Sequence, residues 1–325
     1  MASLDEIGGA AADAGPTLFE EAPGVVRIDH RWMGVPGLIA SYLVGDGDDL
    51  ALVEAGPAST ADAVLAGIRA AGHDPADVRT LLLTHIHLDH AAGTGVLLQH
   101  LPRARVVVHP AGAAHLADPS RLLASATRIY GDRMDALWGR MLPVSVDRID
   151  AVKDADVRAG GRVLTAMDTP GHAGHHLAFH DREAGLLFTG DVAGVRLPGC
   201  AYVRPPTPPP EFDPELWRAS VRGLREARAD RLLLTHFGGF DDPERHLVEL
   251  QERLDDWTTW ARGEQGGEWD RDELVSRLRD RGDAGIRAAG GGDDTVRRYE
   301  AAVPYSMMAD GILRWLSRSA ASRVE

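Results

Sequence analysis

The sequence LLLTHIHLDH, residues 81–90, decides how this chain is interpreted. Its three leucines predict the end of a buried strand, and three imidazoles and a carboxylate follow within the next seven residues. In extended backbone, side chains two positions apart point the same way, so His85 and His87 can hold one cation together. Asp89 and His90 follow where the chain must bend, and can turn toward a second cation. Imidazole nitrogens and carboxylate oxygens are the ligands that suit zinc, iron or manganese.

The alternative interpretation is a histidine-rich surface loop, and the rest of the sequence argues against it. A pair of metal ions needs more ligands than one loop offers, and three other apolar runs lead to such residues. His172 follows a turn after one run, Asp191 ends a second, and His236 ends a third. The five residues LLLTH at 81–85 recur at 232–236, which suggests two similar strand-to-loop units facing one site. Together these features favour a metal centre.

This order of residues resembles the metallo-β-lactamase fold superfamily, in particular its glyoxalase II and lactonase-like branch. The signature of that family is H-x-H-x-D-H, then a His in a P-G-H turn, then G-D, then a late His, and the match covers about residues 25–261. The resemblance implies an α/β fold, a four-layer αββα sandwich. It also implies two metal positions: His85, His87 and His172 at the first, Asp89, His90 and His236 at the second, and Asp191 bridging both.

Two further residues are interpreted as supports for the ligands. The sequence LVEAG at 52–56 stands where the family usually has L-V-D-T-G, so Glu54 replaces an Asp beside the ligands. His176 matches the second His of the family's G-H-x-x-G-H turn, and we expect it to lie behind the ligands. His175 stands in place of the Gly of that turn, and the sequence leaves its role open.

Alternating strand-like and helix-like runs predict one layered domain with additions at both ends. We predict a mobile acidic tail over residues 1–20, the metal-binding domain over 21–261, and a C-terminal helical extension over 262–325. A helical insert is expected at about 111–141. In the extension, two helices are expected over 271–281 and 295–318, the second kinked by Pro304.

The composition restricts the classes of partner that this chain is expected to bind. Its 325 residues carry a net charge of −14, which disfavours nucleic acids and anionic membranes as partners. The single cysteine, Cys200, excludes an intrachain disulfide framework. Neither a signal peptide pattern nor a membrane-length apolar run is found in the sequence, so we expect a cytoplasmic protein with a small-molecule substrate. C-terminal helices in this superfamily set substrate choice or pair subunits, so a homodimer stays open.

The resemblance implies a dinuclear metal-dependent hydrolase. Two divalent ions, zinc first and iron or manganese as alternatives, would share a hydroxide that attacks a small ester, lactone or thioester. The catalytic residues would be Asp191, which bridges the ions, and Asp89, which orients the hydroxide and carries its proton. Two other activities stay open, a mononuclear iron persulfide dioxygenase and a phosphodiesterase.

Substrate contacts are expected on the walls around the metals. The proline-rich residues 205–210 are expected to form a stiff wall beside the ligands. The insert and the C-terminal helices would complete a lining that is aromatic, free of Lys and poor in cations. The aromatic candidates for substrate contact are Tyr130, Trp138, Tyr202 and Tyr305, although side chains at helical spacing in the insert are more often core.

Overall fold

Two β-sheets pack face to face, with helices on their outer faces, in the computed structural model, which describes residues 15–263 and 268–321. The first sheet has seven strands in the order β1 to β7. These strands are Thr17–Ala22 (β1), Val25–Asp29 (β2), Ala40–Asp46 (β3), Asp49–Val53 (β4), Val78–Leu82 (β5), Arg105–Val108 (β6) and Ile149–Ala151 (β7). The second sheet has the order β13-β12-β11-β10-β9-β8. Its strands are Ala155–Ala159 (β8), Arg162–Asp168 (β9), Leu177–Asp181 (β10), Leu186–Gly190 (β11), Arg231–Leu234 (β12) and Gly238–Phe240 (β13).

Eleven α-helices are found in the described residues. They are Ala61–Ala70 (α1), Leu88–Ala91 (α2), Thr94–Leu97 (α3), Pro110–Ala117 (α4), Ser120–Tyr130 (α5), Met134–Trp138 (α6), Pro214–Glu226 (α7), Pro243–Gly263 (α8), Arg271–Ala288 (α9), Asp293–Ala302 (α10) and Tyr305–Ala321 (α11). The segment expected as a helical insert contains most of α4, together with α5 and α6. Among the described residues, no helix combines the length and apolar character needed to cross a membrane.

The layers follow from the period-two alternation of side chains along the strands. In β3, Tyr42 and Val44 face the second sheet, whereas Leu43 between them packs with the helices. The ring of Tyr42 meets the ring of Phe188 in β11 edge to face, with centroids 5.5 Å apart. Because each sheet buries both faces, the result is the four-layer αββα sandwich that was predicted, with C-terminal helices added.

Parallel pairing brings the chemistry-bearing loops to one edge of the sandwich. Strands β4, β5 and β6 run parallel, as do β11 and β12. The carboxyl ends of parallel neighbours lie at the same edge of a sheet, so Glu54 after β4 lies beside Thr84 after β5. In the second sheet, the same geometry places Asp191 after β11 beside His236 after β12.

The acidic tail predicted over residues 1–20 is wrong at its end, because residues from Thr17 onward form β1. That strand pairs with β2 in antiparallel register. The buried carboxylate of Glu21 is paired with Arg27 of β2 and Arg231 of β12, so an acidic stretch enters a sheet because two guanidinium groups neutralise it. Residues 1–14 of the predicted tail lie outside the described residues.

The predicted kinked helix over 295–318 is instead two helices, α10 and α11. Val303 between them is extended, with φ −141° and ψ 94°. Proline disfavours helical geometry in the residue before it and has no N–H to donate, so Pro304 ends one helix rather than bending it. The preceding helix, α9, extends to Ala288, beyond the predicted end at residue 281.

Candidate metal centre

Three imidazoles from two loops form the first group of donors. His85 and His87 follow β5, and His172 lies in the turn after β9. The Nδ1 atom of His87 is 2.9 Å from His85 Nε2 and 2.9 Å from His172 Nε2. The structure therefore brings together the three residues that the resemblance assigned to one metal position.

The turn that carries His172 depends on a glycine. Gly171 has φ +137°, and a Cβ atom there would lie 2.3 Å from the Cα atom of Trp217 in α7. Only glycine combines this backbone conformation with such a close approach. Helix α7 is itself fixed at its start, where the Asp213 side chain accepts a hydrogen bond from the Leu216 N–H at 3.0 Å. Packing against α7 thus places His172 opposite the loop after β5.

A second group of donors lies beside the first. It contains Asp89, His90 and His236. Asp89 Oδ2 is 3.8 Å from His90 Nε2 and 3.5 Å from His236 Nε2. The Asp191 carboxylate faces both groups, since its Oδ2 is 3.3 Å from His172 Nε2 and its Oδ1 is 3.3 Å from His90 Nε2.

Hydrogen bonds to the opposite ring nitrogen orient three of these imidazoles. His172 Nδ1 donates to the Pro206 carbonyl at 3.0 Å, and His236 Nδ1 donates to the Leu38 carbonyl at 2.7 Å. His90 Nδ1 donates to Glu54 Oε1 at 2.9 Å. Each of these bonds places a proton on Nδ1, so Nε2 is the nitrogen that would bind a metal.

Glu54 connects several of the donors from behind. Its side chain is fully buried, and its Oε1 atom accepts from Thr84 Oγ1 at 2.5 Å and from His90. Because Thr84 gives its hydroxyl hydrogen to Glu54, it accepts from His85 Nδ1, 3.0 Å away. Glu54 thereby sets the orientation of His90 directly and of His85 through Thr84. The sequence placed Glu54 beside the ligands, and the structure puts it there.

His176 also lies behind the donors. Its Nδ1 is 2.8 Å from Thr169 Oγ1, and its Nε2 accepts from the Asp191 backbone N–H at 3.2 Å. Burial lowers its pKa well below the ordinary histidine value, which matches this neutral arrangement. His176 therefore fixes the backbone from which Asp191 projects. His175, whose role the sequence left open, lines the cavity over the donors.

The electrostatics of the cluster fit transition-metal ions. Burial lowers the pKa of His85 and His87 well below the ordinary value, so both imidazoles are neutral, the form that binds metals. Burial also opposes charge on His90, but the Asp191, Glu54 and Asp89 carboxylates outweigh it and raise the pKa of His90. Although buried, His90 Nε2 and Asp191 Oδ1 have no hydrogen-bond partner in the described part of the chain. Both atoms can bind a metal, and three carboxylates lie around them. Buried atoms of this kind without a hydrogen-bond partner indicate a site suited to cations.

A cavity of about 320 Å³ opens over the donors. Five of them line it: His87, Asp89, His172, Asp191 and His236. The insert contributes Tyr130 and Trp138, and α11 contributes Met307. The predicted proline-rich wall is present as Pro206 and Pro208–Pro210. This volume lies within the usual range for small-molecule sites.

Two predicted substrate contacts are not part of this lining. Tyr202 is buried beneath the guanidinium of Arg253, 3.9 Å from its ring centroid, and Tyr305 donates to the Asp283 carboxylate. Both phenols serve the packing of the C-terminal helices, a long-range contact that their positions in the sequence do not reveal. The expectation of a cation-poor lining is also wrong. It contains three arginines, although no lysine: Arg121, Arg133 and Arg297.

Several residues of the site were missed in the sequence. The carbonyl groups of Leu38 and Pro206 carry no sequence signal, because any residue supplies a carbonyl. Trp32 lines the cavity from a short turn after β2 and was also missed. For Thr84 and Thr235 a sequence signal did exist, since both belong to the repeated LLLTH.

Residues 34–236 match the family model of the metallo-beta-lactamase superfamily. The chain is 30% identical over 154 residues to a hydroxyacylglutathione hydrolase of Cereibacter sphaeroides, covering 47% of this chain and 46% of that protein. It is 37% identical over 139 residues to the acyl-coenzyme A thioesterase MBLAC2 of Gallus gallus, covering 38% and 47%. The chain thus spans less than half the length of these two relatives.

Solved structures show the same fold. A metallo-beta-lactamase family protein from Thermus thermophilus aligns with a TM-score of 0.65 at 20% identity, covering 87% of this chain and 89% of that one. The FEZ-1 metallo-beta-lactamase from Legionella gormanii aligns with a TM-score of 0.57 at 21% identity, covering 79% and 100%. Sequence signature, αββα architecture and family match agree, and the chain belongs to the metallo-beta-lactamase superfamily.

Proposed function

We propose that this chain is a hydrolase that holds two divalent metal ions and cleaves a small ester, lactone or thioester. The observation that carries the proposal is the position of Asp191. Its Oδ2 faces His172 of the first donor group, and its Oδ1 faces His90 of the second. A carboxylate placed between two groups of donors is suited to bridge two ions. Zinc fits the nitrogen and oxygen donors, and iron or manganese can use the same set.

When bound, such ions lower the pKa of a coordinated water and polarise a carbonyl oxygen. The chain's part in the chemistry falls to Asp89, whose side chain is 23% exposed and lines the cavity. Its carboxylate accepts the proton of the attacking water, whose oxygen forms the new bond to the carbonyl carbon. The C–S or C–O bond then breaks, and Asp89 passes the proton to the leaving thiolate or alkoxide.

Thioesters are the class that we favour among the three. Several curated relatives bear the name thioesterase, among them MBLAC2 of Gallus gallus and pkgB of Emericella nidulans. A thiolate is also a better leaving group than an alkoxide. The protein therefore needs only to orient the substrate and to activate the attacking water. The mainly apolar walls of the cavity suit such a substrate.

The test compares Asp89→Asn and Asp191→Asn with the unchanged protein on thioesters, aryl esters and lactones. Each variant should lose roughly 100-fold or more of kcat, the usual contribution of a positioned proton carrier or a metal clamp. Asp156→Asn is the matched control, because Asp156 lies in β8 at the edge of the second sheet, where its carboxylate accepts from Thr165. Near-native turnover in either site variant would contradict the assigned roles.

Two other outcomes would favour the alternatives. About one iron per chain, with oxygen consumed on a persulfide, would indicate a dioxygenase rather than a hydrolase. Salt-sensitive cleavage of RNA or DNA in preference to small substrates would indicate a nuclease. We expect neither, because the chain is acidic overall and the donors form two groups.

A further inference from the structure

The cavity over the donors has apolar inner walls and arginines at its exposed edge. We propose that it binds a thioester whose acyl group is apolar and whose thiol carrier bears phosphate. The proposal rests on the hydrolase function proposed above and names its substrate class. We call the inner part, formed by Trp32, Ala126, Leu137 and Trp138, the acyl chamber.

All four side chains of the acyl chamber are buried and line the cavity. The rings of Trp32 and Trp138 are stacked, with centroids 5.2 Å apart and planes at 14°. Trp32 Nε1 donates to the Leu137 carbonyl at 2.7 Å, so this indole presents only its apolar surface. The indole N–H of Trp138 is buried and has no partner in the described part of the chain, so it is a donor that an acyl group could meet here. A strongly polar acyl group would still lose most of its hydrogen bonds to water, whereas an apolar one gains from leaving water.

The acyl chamber is closed where the insert meets the C-terminal helices. Tyr130 of α5 lies with its hydroxyl 3.6 Å from Met307 Sδ of α11. The same ring packs edge to face on Trp138, with centroids 5.2 Å apart. The walls therefore come from two packed segments that are distant in sequence. The whole cavity measures about 320 Å³, near the lower end for small-molecule sites, so the acyl chamber can enclose an acyl group but not its carrier.

The exposed edge carries positive charge against the overall balance of the chain. Arg121, Arg133 and Arg297 line the cavity from three different elements and are exposed, although the net charge of the chain is −14. Arg297 also contacts Asp294 at 3.3 Å. Guanidinium groups bind phosphate with paired hydrogen bonds, so this edge suits a phosphorylated thiol carrier.

Besides Asp89 and Asp191 of the donor groups, two carboxylates line this cavity, Glu211 and Glu300. Glu211 faces His175 at 3.7 Å, and Glu300 faces Arg279 at 3.4 Å. Glu300 therefore has a cationic partner of its own, whereas Glu211 accepts from the Gly174 N–H at 2.8 Å and faces an imidazole. An apolar chamber, a catalytic cluster and a cationic edge in one cavity match the three parts of a phosphorylated acyl thioester.

The first experiment measures acyl specificity with straight-chain coenzyme A thioesters from acetyl to dodecanoyl. Up to the length that fills the acyl chamber, kcat/KM should rise by up to about fourfold per methylene. Ala126→Leu, which fills the chamber, should lower the octanoyl-to-acetyl ratio of kcat/KM about tenfold. Ala124→Leu is the matched control, because Ala124 lies on the same helix but is exposed and outside the lining, and its ratio should not change.

A binding measurement separates this proposal from the hydrolase function. Octyl-coenzyme A, a thioether that cannot be hydrolysed, should bind more tightly than ethyl-coenzyme A in calorimetry, and Ala126→Leu should remove that difference. Chain-dependent binding without hydrolysis of any thioester would support the chamber and contradict the hydrolase. Hydrolysis and binding that are indifferent to chain length would overturn the chamber and leave the hydrolase standing.

The second experiment tests the exposed edge with thioesters of equal chain length. The ratio of kcat/KM for octanoyl-coenzyme A to that for the neutral octanoyl-N-acetylcysteamine should fall with salt. It should fall about tenfold in the double variant Arg121→Gln/Arg297→Gln. Arg128→Gln, an exposed change on α5 outside the lining, should leave it unchanged. Octanoyl acyl carrier protein bears the same phosphorylated arm. A higher kcat/KM on it than on octanoyl-coenzyme A would indicate a protein carrier, and a lower one would indicate a free carrier. An unchanged ratio in the double variant would overturn the phosphate assignment.

Discussion

Thr84 and Thr235, which occupy equivalent positions of the repeated sequence LLLTH, donate to the same carboxylate oxygen, Glu54 Oε1, at 2.5 and 3.2 Å. One threonine follows β5 of the first sheet, and the other follows β12 of the second. Glu54 therefore links the two sheets directly behind the donors, and it also accepts from His90. The repeated LLLTH thus supplies both threonines that make this connection.

Glu54→Gln should weaken metal binding by about 10- to 100-fold, as loss of a hydrogen-bond partner behind a ligand commonly does. The amide keeps the shape of the side chain but presents one NH₂ group where the carboxylate accepts hydrogen bonds. Competition with a chromogenic chelator measures the affinity. Thr235→Val, which removes only the longest of the three bonds to Oε1, is the matched control and should cost less than about tenfold. Equal affinities of Glu54→Gln and the unchanged protein would show that Glu54 does not orient His90.

Metal-replete protein should contain close to two transition-metal ions per chain, because seven donor side chains exceed the needs of one tetrahedral site. Removing the ions with a chelator should lower Tm, since a ligand that binds only the native state stabilises it by about 4 kcal/mol at 1,000 times Kd. Elemental analysis and calorimetry before and after dialysis check both statements. One tightly bound ion or none would contradict the dinuclear centre.

Arg204→Met should lower the free energy of unfolding by about 3 kcal/mol. The guanidinium of Arg204 is fully buried and donates to the carbonyls of Tyr299 and Val303 at 2.9 and 3.0 Å, and to the Tyr305 hydroxyl. The substitution leaves these acceptors without a partner where the C-terminal helices join the domain. Urea unfolding measures the change.

The control for Arg204 is another arginine of the C-terminal helices. Arg271 of α9 pairs with Asp310 of α11 at 2.6 Å, but both side chains are about one-third to one-half exposed. Arg271→Gln should therefore cost less than about 1 kcal/mol. If the two variants lost equal stability, Arg204 would not be the buried anchor of these helices.

His246 should make the native state less stable as pH falls from about 6.5 to 4. Its Nε2 donates to the Ala193 carbonyl at 2.8 Å, while its buried Nδ1 has no partner in the described part of the chain. Burial lowers its pKa from 6.5 to about 4, so in this window the unfolded chain binds a proton that the native state does not. The loss approaches about 3 kcal/mol at about 1.4 kcal/mol per pH unit.

A substitution isolates this effect from the other titrating groups. His246→Gln can keep a donor toward Ala193 but cannot be protonated. The stability difference between the unchanged protein and this variant should therefore shrink, or change sign, between pH 7 and pH 4.5 in urea unfolding. A difference that stays constant over this range would contradict the assignment.

Through a resemblance the sequence implied the family and its αββα class, and by itself it determined the donors that meet at one edge. These are local properties: each donor follows an apolar run, and a strand that ends at the edge of a sheet must present its next residues there. His85, His172, Asp191 and His236 are read in this way without any knowledge of long-range contacts. The repeat at 81–85 and 232–236 even marked the two strands whose threonines converge on Glu54.

The tertiary structure alone decided which walls surround the donors and which side chains serve only packing. Tyr130 and Tyr305 are equally aromatic in the sequence, yet one lines the cavity and the other is buried against Arg204. Helical periodicity shows that a side chain is buried, but not which distant segment buries it. The break at Pro304, the docking of α11 on the insert, and the arginines at the edge of the cavity all depend on packing between segments far apart in the chain. Such packing leaves no local pattern to read.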